Sequence, residues 1–528
     1  MAKIRTACTL TLGVLFAGCS SLIVLGQLID KTKAPNVAGQ GINKSLTEQV
    51  GVGRGDAMTP NSSCFIISRD PFRAIRRGRQ LFQRKFARAE GQGPNVGDGN
   101  GDVNNTLAIG AGLADSCAAC HGRPRGSAGF GGDVVTRPDS RDASHLFGLG
   151  LKEMLADEIT LDLRTIRAQA LLQSKSTGQP VSRRLFSKGI HYGWITVQPD
   201  GSVDTSRVEG VNPDLRVRPF FAHGETMSIR EFVVGALQNE MGLQAVDAEL
   251  AQARAGGKVT TLAGMVLDGS IDQIEAPPTA DPLADPDEDG VKNEVPESLV
   301  DFLEFYLLNY LKPATYAQTE TTEKGRHLFQ HIRCARCHRP DLLLNQDRRV
   351  ADVETIYDPN HGVFNNLFAT AMPLNVSIND NSSFPPLRRP KLDSFPVRNI
   401  FTDFKRHDVG PYFYERNYDG SIRKEFLTTP LWGVGSTAPY GHDGRSLNLT
   451  EVILRHGGEA QASRDRFANL EEEQRSALVA FLNSLVLFPP EDTASNLDPG
   501  DPSTPNFPQS GHGSIKLSVL FNDPEDLE

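Results

Sequence analysis

Two pentapeptides constrain this chain more than anything else in its 528 residues: Cys117-Ala118-Ala119-Cys120-His121 and Cys334-Ala335-Arg336-Cys337-His338. C-x-x-C-H is the attachment signature of c-type haem, with two thiols that add to vinyl groups and an imidazole set beside the iron. Neither box has nearby the second C-x-x-C or H-x-x-x-H half that a closed zinc site needs. Cys117, Cys120, Cys334 and Cys337 are therefore assigned to two covalent haem c groups, with His121 and His338 as the proximal iron ligands.

The remaining three of the seven cysteines do not make a disulfide framework. Cys8 and Cys19 lie in the N-terminal apolar stretch, and Cys64 stands alone. Lys3 and Arg5 precede an apolar run ending in Phe16-Ala17-Gly18-Cys19, which resembles a bacterial lipoprotein cleavage box with Cys19 as the lipidated residue. The apolar character continues through Ser20 to Gly26, for about twenty residues in all, enough to span a bilayer. A lipoprotein signal, an uncleaved anchor and an ordinary signal peptide all remain open. Each exports the chain to the periplasmic side of a bacterial membrane, where c-type haem is attached. The charge balance, 65 Asp+Glu against 55 Lys+Arg for a net −10, shows no basic block, so nucleic acid is not an expected partner.

A hexapeptide recurs ahead of the boxes. Gly78-Arg79-Gln80-Leu81-Phe82-Gln83 and Gly325-Arg326-His327-Leu328-Phe329-Gln330 each read as the first helix of a cytochrome c fold, with Leu81, Phe82 and Phe86 at helical spacing. The expected fold is mainly α, with two cytochrome c-like domains each carrying one haem and with long loops between elements. The expected order is an export segment at 1–26, a tether at 27–70 and a first domain at 71–280. A linker at 281–320, a second domain at 321–490 and an irregular tail at 491–528 follow. Within the linker, Asp285, Asp287, Asp289 and Glu294 alternate around Gly290, a pattern suited to calcium, although Pro296 stands where a bidentate carboxylate is usual. An acidic linker that binds nothing is the other reading. Leu299 to Leu311 reads as a helix with a wide apolar face.

Several stretches together resemble one family: His145 to Leu155, Phe232 to Gln244, Phe401 to Pro411, Thr429 to Ala460 and Ser476 to Leu485. They are similar to the di-haem oxidoreductases and peroxidases related to bacterial di-haem cytochrome c peroxidase and MauG. The resemblance covers most of residues 70–490 and is strongest after Lys324. It implies one saturated haem for electron transfer and a second haem often open to peroxide or oxygen. An electron donor such as a small periplasmic cytochrome or a cupredoxin is implied with it.

The same resemblance implies residue roles. Where these peroxidases carry a Met, fourteen residues after the His of the His442-Asp443-Gly444 loop, this chain has His456, implying a second imidazole on the second haem. A helix-end histidine bonded to its own carbonyls is the competing reading. The distal histidine of the resting peroxidase falls here on Val134-Val135, with His145, about ten residues later, as the nearby imidazole and a lesser ligand candidate, which implies an open iron at the first haem. Glu240 falls two residues from the family's distal acid, and His223 is a second distal or interface candidate. The family's inter-haem tryptophan is replaced by Ala222, with Trp432 as an alternative relay or a core aromatic. Asp142, Thr437 and Pro439 occupy the positions of an inter-domain calcium. The expected activity is reduction of peroxide, or activation of oxygen, at the first haem. The alternatives are MauG-like or rubber-oxygenase-like oxidation of an organic or protein substrate, and electron transfer without catalysis.

Overall fold

The computed structural model describes residues 45–69, 71–92, 114–121, 142–277, 280–285, 290–292, 294–310, 313–315, 318–349, 352–358, 362–368, 394–417 and 419–486. The export segment, Val134, Val135, Asp287, Asp289 and the tail lie outside these residues. The first half is built from α1 (Pro71–Gln83), α2 (Leu149–Thr177), the strands β1 (Val181–Ser187), β2 (Ile190–Val197) and β3 (Val203–Val208), then α3 (Ile229–Met241), α4 (Ala248–Arg254) and α5 (Glu297–Leu308). The second half contains α6 (Glu320–His331), α7 (Leu449–Arg455) and α8 (Glu472–Asn483).

The repeated hexapeptide does the same work twice. On α1, a Cβ added at Gly78 would lie 2.2 Å from the Phe302 carbonyl oxygen, so the missing side chain lets α1 cross α5 in backbone contact. On α6, a Cβ at Gly325 would lie 2.0 Å from the carbonyl oxygen of Ala477 on α8. The aromatic four residues further on then packs on the partner helix. Phe82 meets Tyr306 at 5.8 Å between ring centroids, and Phe329 meets Phe481 at the same separation. Leu81, Phe82 and Phe86 are all buried. Each fully buried side chain of this size contributes roughly 1.5–3 kcal/mol.

Two expected boundaries shift. Every residue of α5 from Ser298 to Leu308 is buried in the core shared with α1 and α3, so this helix belongs to the first half rather than to a linker. Its apolar surface is too wide to be left on a connector. Likewise, Ser63–Arg69 of the expected tether is helical, and Ile66 and Ile67 are buried against the same core.

The first half also contains a three-stranded antiparallel sheet, β1-β2-β3, that helical periodicity does not reveal. Its signal in the sequence is the β-branched and aromatic run from Ile190 to Val197, followed by the Asp200-Gly201 turn between β2 and β3. The sheet packs through Leu185, Tyr192 and Ile195 on α2 and on the short strand pair Leu342–Leu344 and Phe395–Val397. It thereby comes to lie beside the second C-x-x-C-H box. Among the described residues, no helix is long and apolar enough to cross a membrane.

Candidate haem cavity

Both boxes open onto one cavity of about 1530 Å³, whose wall includes Cys120 and His121 of the first and Cys334, Cys337 and His338 of the second. A pocket for one small ligand holds roughly 300–1,000 Å³, so this space suits two macrocycles side by side.

At the first box, Ser116 is extended and Cys117–Cys120 form a single helical turn. The box is tied to the end of α1 by the Phe86 N–H, which donates to the Asp115 carbonyl at 2.8 Å. His121 Nδ1 lies 2.7 Å from the Ser144 carbonyl oxygen, so Nδ1–H donates and the Nε2 lone pair is left for a metal. Burial lowers the His121 pKa and keeps the imidazole neutral, the form that ligates.

At the second box, His338 repeats this arrangement, with Nδ1 3.2 Å from the Phe401 carbonyl oxygen. Burial, aided by the charge of His456, pushes its pKa down to about 4. His456 terminates α7, and its Nδ1 lies 2.7 Å from the Val452 carbonyl oxygen. The helix-end bond therefore uses Nδ1 and leaves Nε2 available, so the two sequence readings of His456 are compatible. The ring packs edge-on against Phe413 at 5.1 Å, and burial lowers its pKa. The preceding Arg455 is held at 2.7 Å by Asp443 and stacks 4.4 Å over Phe413. Asp443 of the His-Asp-Gly loop thus positions the turn that presents His456. Its neighbour His442 stacks on Phe426 at 4.3 Å.

A third histidine escaped sequence reasoning. His407 has Nε2 2.9 Å from Asp403 and Nδ1 2.8 Å from Glu459. Burial opposes its charge, but hydrogen bonds with Asp403, Cys337 and Glu459 push its pKa up to about 12. The ligand atoms of Cys337, Asp403 and His407 lie within 4.8 Å of one another, a spacing that could hold a metal. Both ring nitrogens face carboxylates, so the cluster holds an imidazolium beside the second box.

α3 supplies the wall near the first box. Ser228 caps it, accepting from the Glu231 N–H while Glu231 reaches back. Glu240, the penultimate residue of α3, lines the cavity. Burial and then the Glu240 charge push the Cys120 thiol up to about 11, which locates this carboxylate near the box. Lys152 also lines the cavity, its amine pushed down to about 8 by burial and without a carboxylate partner among the described residues.

Other candidates settle elsewhere. His223 is buried, with Nδ1 2.7 Å from Glu225 and Nε2 3.1 Å from Glu415, which places it at the interface of the halves and off the cavity wall. His145 has Nε2 3.0 Å from the Trp432 carbonyl oxygen, and its Nδ1 accepts from the Phe147 N–H at 3.2 Å. Neither of its nitrogens is left for iron. Trp432 is buried, packs under Gly148 and lines the cavity. Glu294 turns inward and accepts the Gln244 N–H, while Asp285 accepts the Gly290 N–H at 3.1 Å. The Asp142 N–H donates to the His442 carbonyl at 2.9 Å. A Cβ on Gly444 would lie 3.2 Å from the Asp142 Cβ and 3.4 Å from the Pro439 ring. Asp142 and Pro439 are thus brought together, with Thr437 on the same cavity wall.

Residues 389–485 match the family described as di-haem oxidoreductase, putative peroxidase. This stretch of the second half is similar to that family. No curated protein matches it. The match contains Asp403, His407, His442, Asp443 and His456, and begins after the second box. A single cavity joins the two C-x-x-C-H boxes, the arrangement that two redox centres in electronic contact would need.

Proposed function

We propose that this chain is an exported, peroxidase-like di-haem oxidoreductase of two cytochrome c-like units, with covalent haem c at each box. The observation that carries the reading is the asymmetry of the cavity: paired imidazoles of His338 and His456 at one box, and His121 with Glu240 at the other. Bound haem supplies one-electron transfer and, at an iron with an open face, cleavage of a peroxide O–O bond.

The residues divide the remaining work. Ser144 holds His121 through Nδ1, fixing its tautomer and ring plane. Phe401 and Val452 do the same for His338 and His456. A haem held by both His338 and His456 would have no open face for substrate, so the second site would carry electrons. At the first site, the Glu240 carboxylate takes the proton from the inner oxygen of a hydroperoxide and returns it to the departing oxygen. Each hydrogen peroxide reduced to two waters consumes two electrons and two protons. Lys152 places positive charge on the cavity wall, suited to an anionic group such as a propionate. Trp432, on the same wall, offers an oxidisable indole in place of the relay lost at Ala222. Calcium at Asp142, Thr437 and Pro439, or at the Asp285 loop, belongs to the same reading, as does delivery to the periplasmic side.

The deciding experiment is spectroscopic. The ferric holoprotein is expected to show one high-spin component that shifts on adding cyanide or peroxide and one low-spin component that does not. A spectrum wholly low-spin in both oxidation states and inert to both reagents would make the chain an electron carrier. The second site has its own test. His456→Met is expected to raise the potential of the low-spin haem by on the order of 0.1 V, a fraction of the ~0.8 V that axial ligands command. A redox titration that finds no change would remove His456 from the iron.

A further inference from the structure

The chain is acidic overall, at −10, yet the rim of the second box is cationic. Arg333 and Arg336 flank Cys334 and are exposed, and Arg339 follows His338. None of the three forms an ion pair with a carboxylate among the described residues. A haem joined through its vinyl groups to Cys334 and Cys337 carries its propionates on the opposite edge. The arginines beside the cysteines are therefore left for another anion.

The rim continues onto the sheet. Arg339 donates to the Gly189 carbonyl at 2.6 Å, seating the β1–β2 turn against the box, and Lys405 donates to the His191 carbonyl at 3.1 Å. The register then sets Arg184, Trp194 and Arg207 in one row across β1, β2 and β3. The Arg207 guanidinium lies 5.6 Å over the indole, and the His191 ring meets it edge-on at 6.4 Å. Phe186, next on the same face of β1, is 48% exposed under the Arg184 guanidinium. Arg184 and Arg207 have no ion pair among the described residues. A half-buried tryptophan between two unpaired arginines has the composition of an interface hot spot, and its charge selects an anionic partner.

We propose that this rim and sheet face form the docking surface for an acidic one-electron carrier protein that delivers electrons to the second haem. The proposal rests on the reading that the second site is the entry point. A protein is favoured over an anionic membrane because the cations border the second box itself and surround a rigid aromatic row on a sheet, geometry that serves a specific redox contact.

The test is stopped-flow reduction of the full holoprotein by flavodoxin hydroquinone, an acidic one-electron donor, with neutral benzohydroquinone as control. The low-spin haem is expected to be reduced at least about 10-fold faster at ~20 mM than at ~300 mM salt with flavodoxin, and at equal rates with benzohydroquinone. Two independent charge reversals on the sheet face, Arg184→Glu and Arg207→Glu, are each expected to lower the low-salt flavodoxin rate about 3-fold and leave the neutral rate unchanged. A salt-independent flavodoxin rate, or reversals without effect, overturns the docking surface. So does loss of binding to anionic vesicles in the reversals with flavodoxin rates intact, which would assign the face to a membrane. If benzohydroquinone reduces the high-spin haem first, the entry assignment fails instead, and the salt dependence still reports on the surface.

Discussion

Glu240→Gln is expected to lower kcat/KM for hydrogen peroxide by about 10²-fold or more, the range removed with a general acid–base group. Glutamine keeps the length of the side chain, and the Glu240 carbonyl still accepts the Ala114 N–H at 3.3 Å. What disappears is a carboxylate able to take a proton from one oxygen and give it to the next. The measurement is steady-state peroxide consumption with a one-electron donor, run beside the ferric spectrum. Unchanged spectra with collapsed turnover assign Glu240 to proton transfer. Turnover equal to the parent would exclude it.

Arg230→Leu is expected to destabilise the fold by about 3–5 kcal/mol, the penalty for removing one partner of a buried ion pair. Arg230 lies on the first turn of α3, is fully buried, and reaches Asp247 at 2.7 Å and both Asp301 and Glu304 at 2.9 Å. Glu249 and Glu297 complete the cluster, shared with Arg54. Leucine fills part of the volume but leaves five carboxylates around one remaining guanidinium. The urea midpoint of the holoprotein reads the loss.

The pH dependence carries a definite sign. Burial raises the Glu249 pKa from 4.5 to about 7 even with both arginines opposing it, and Glu304 is raised for the same first reason. The folded state therefore binds protons that the unfolded chain has released, so this cluster contributes most at low pH and loses stability as pH rises towards 7. Without Arg230 the carboxylates hold protons more tightly still. The deficit of the variant is expected to narrow as pH falls from about 8 to about 5. A deficit that widened on acidification would mean the cluster is held by something other than charge balance. Because α3 carries Arg230 at one end and Glu240 at the other, peroxide turnover in the variant is expected to fall together with its stability.

What was legible from the sequence was chemistry written in adjacent residues. Two C-x-x-C-H boxes stand out because covalent haem attachment would need two thiols and an imidazole within one turn of chain. The Gly-Arg-x-Leu-Phe-Gln repeat announces paired helices because glycine and phenylalanine four apart share one helix face. His456 was legible through its distance from His442, yet the sequence left it either a helix cap or a ligand. The fold shows that Nδ1 serves the helix and Nε2 remains free.

Tertiary structure alone decided the rest. Arg230 meets Asp301 from 71 positions away, His223 meets Glu415 from 192, and His407 meets Glu459 from 52. α5 joined the first core, and the sheet β1-β2-β3 was laid against the second box. Covalent and helical signals are local because they depend on bond lengths and on a 3.6-residue turn. Charge pairing, burial and the sign of a pKa shift depend on which distant groups share a low-dielectric space, and only folding brings those groups together.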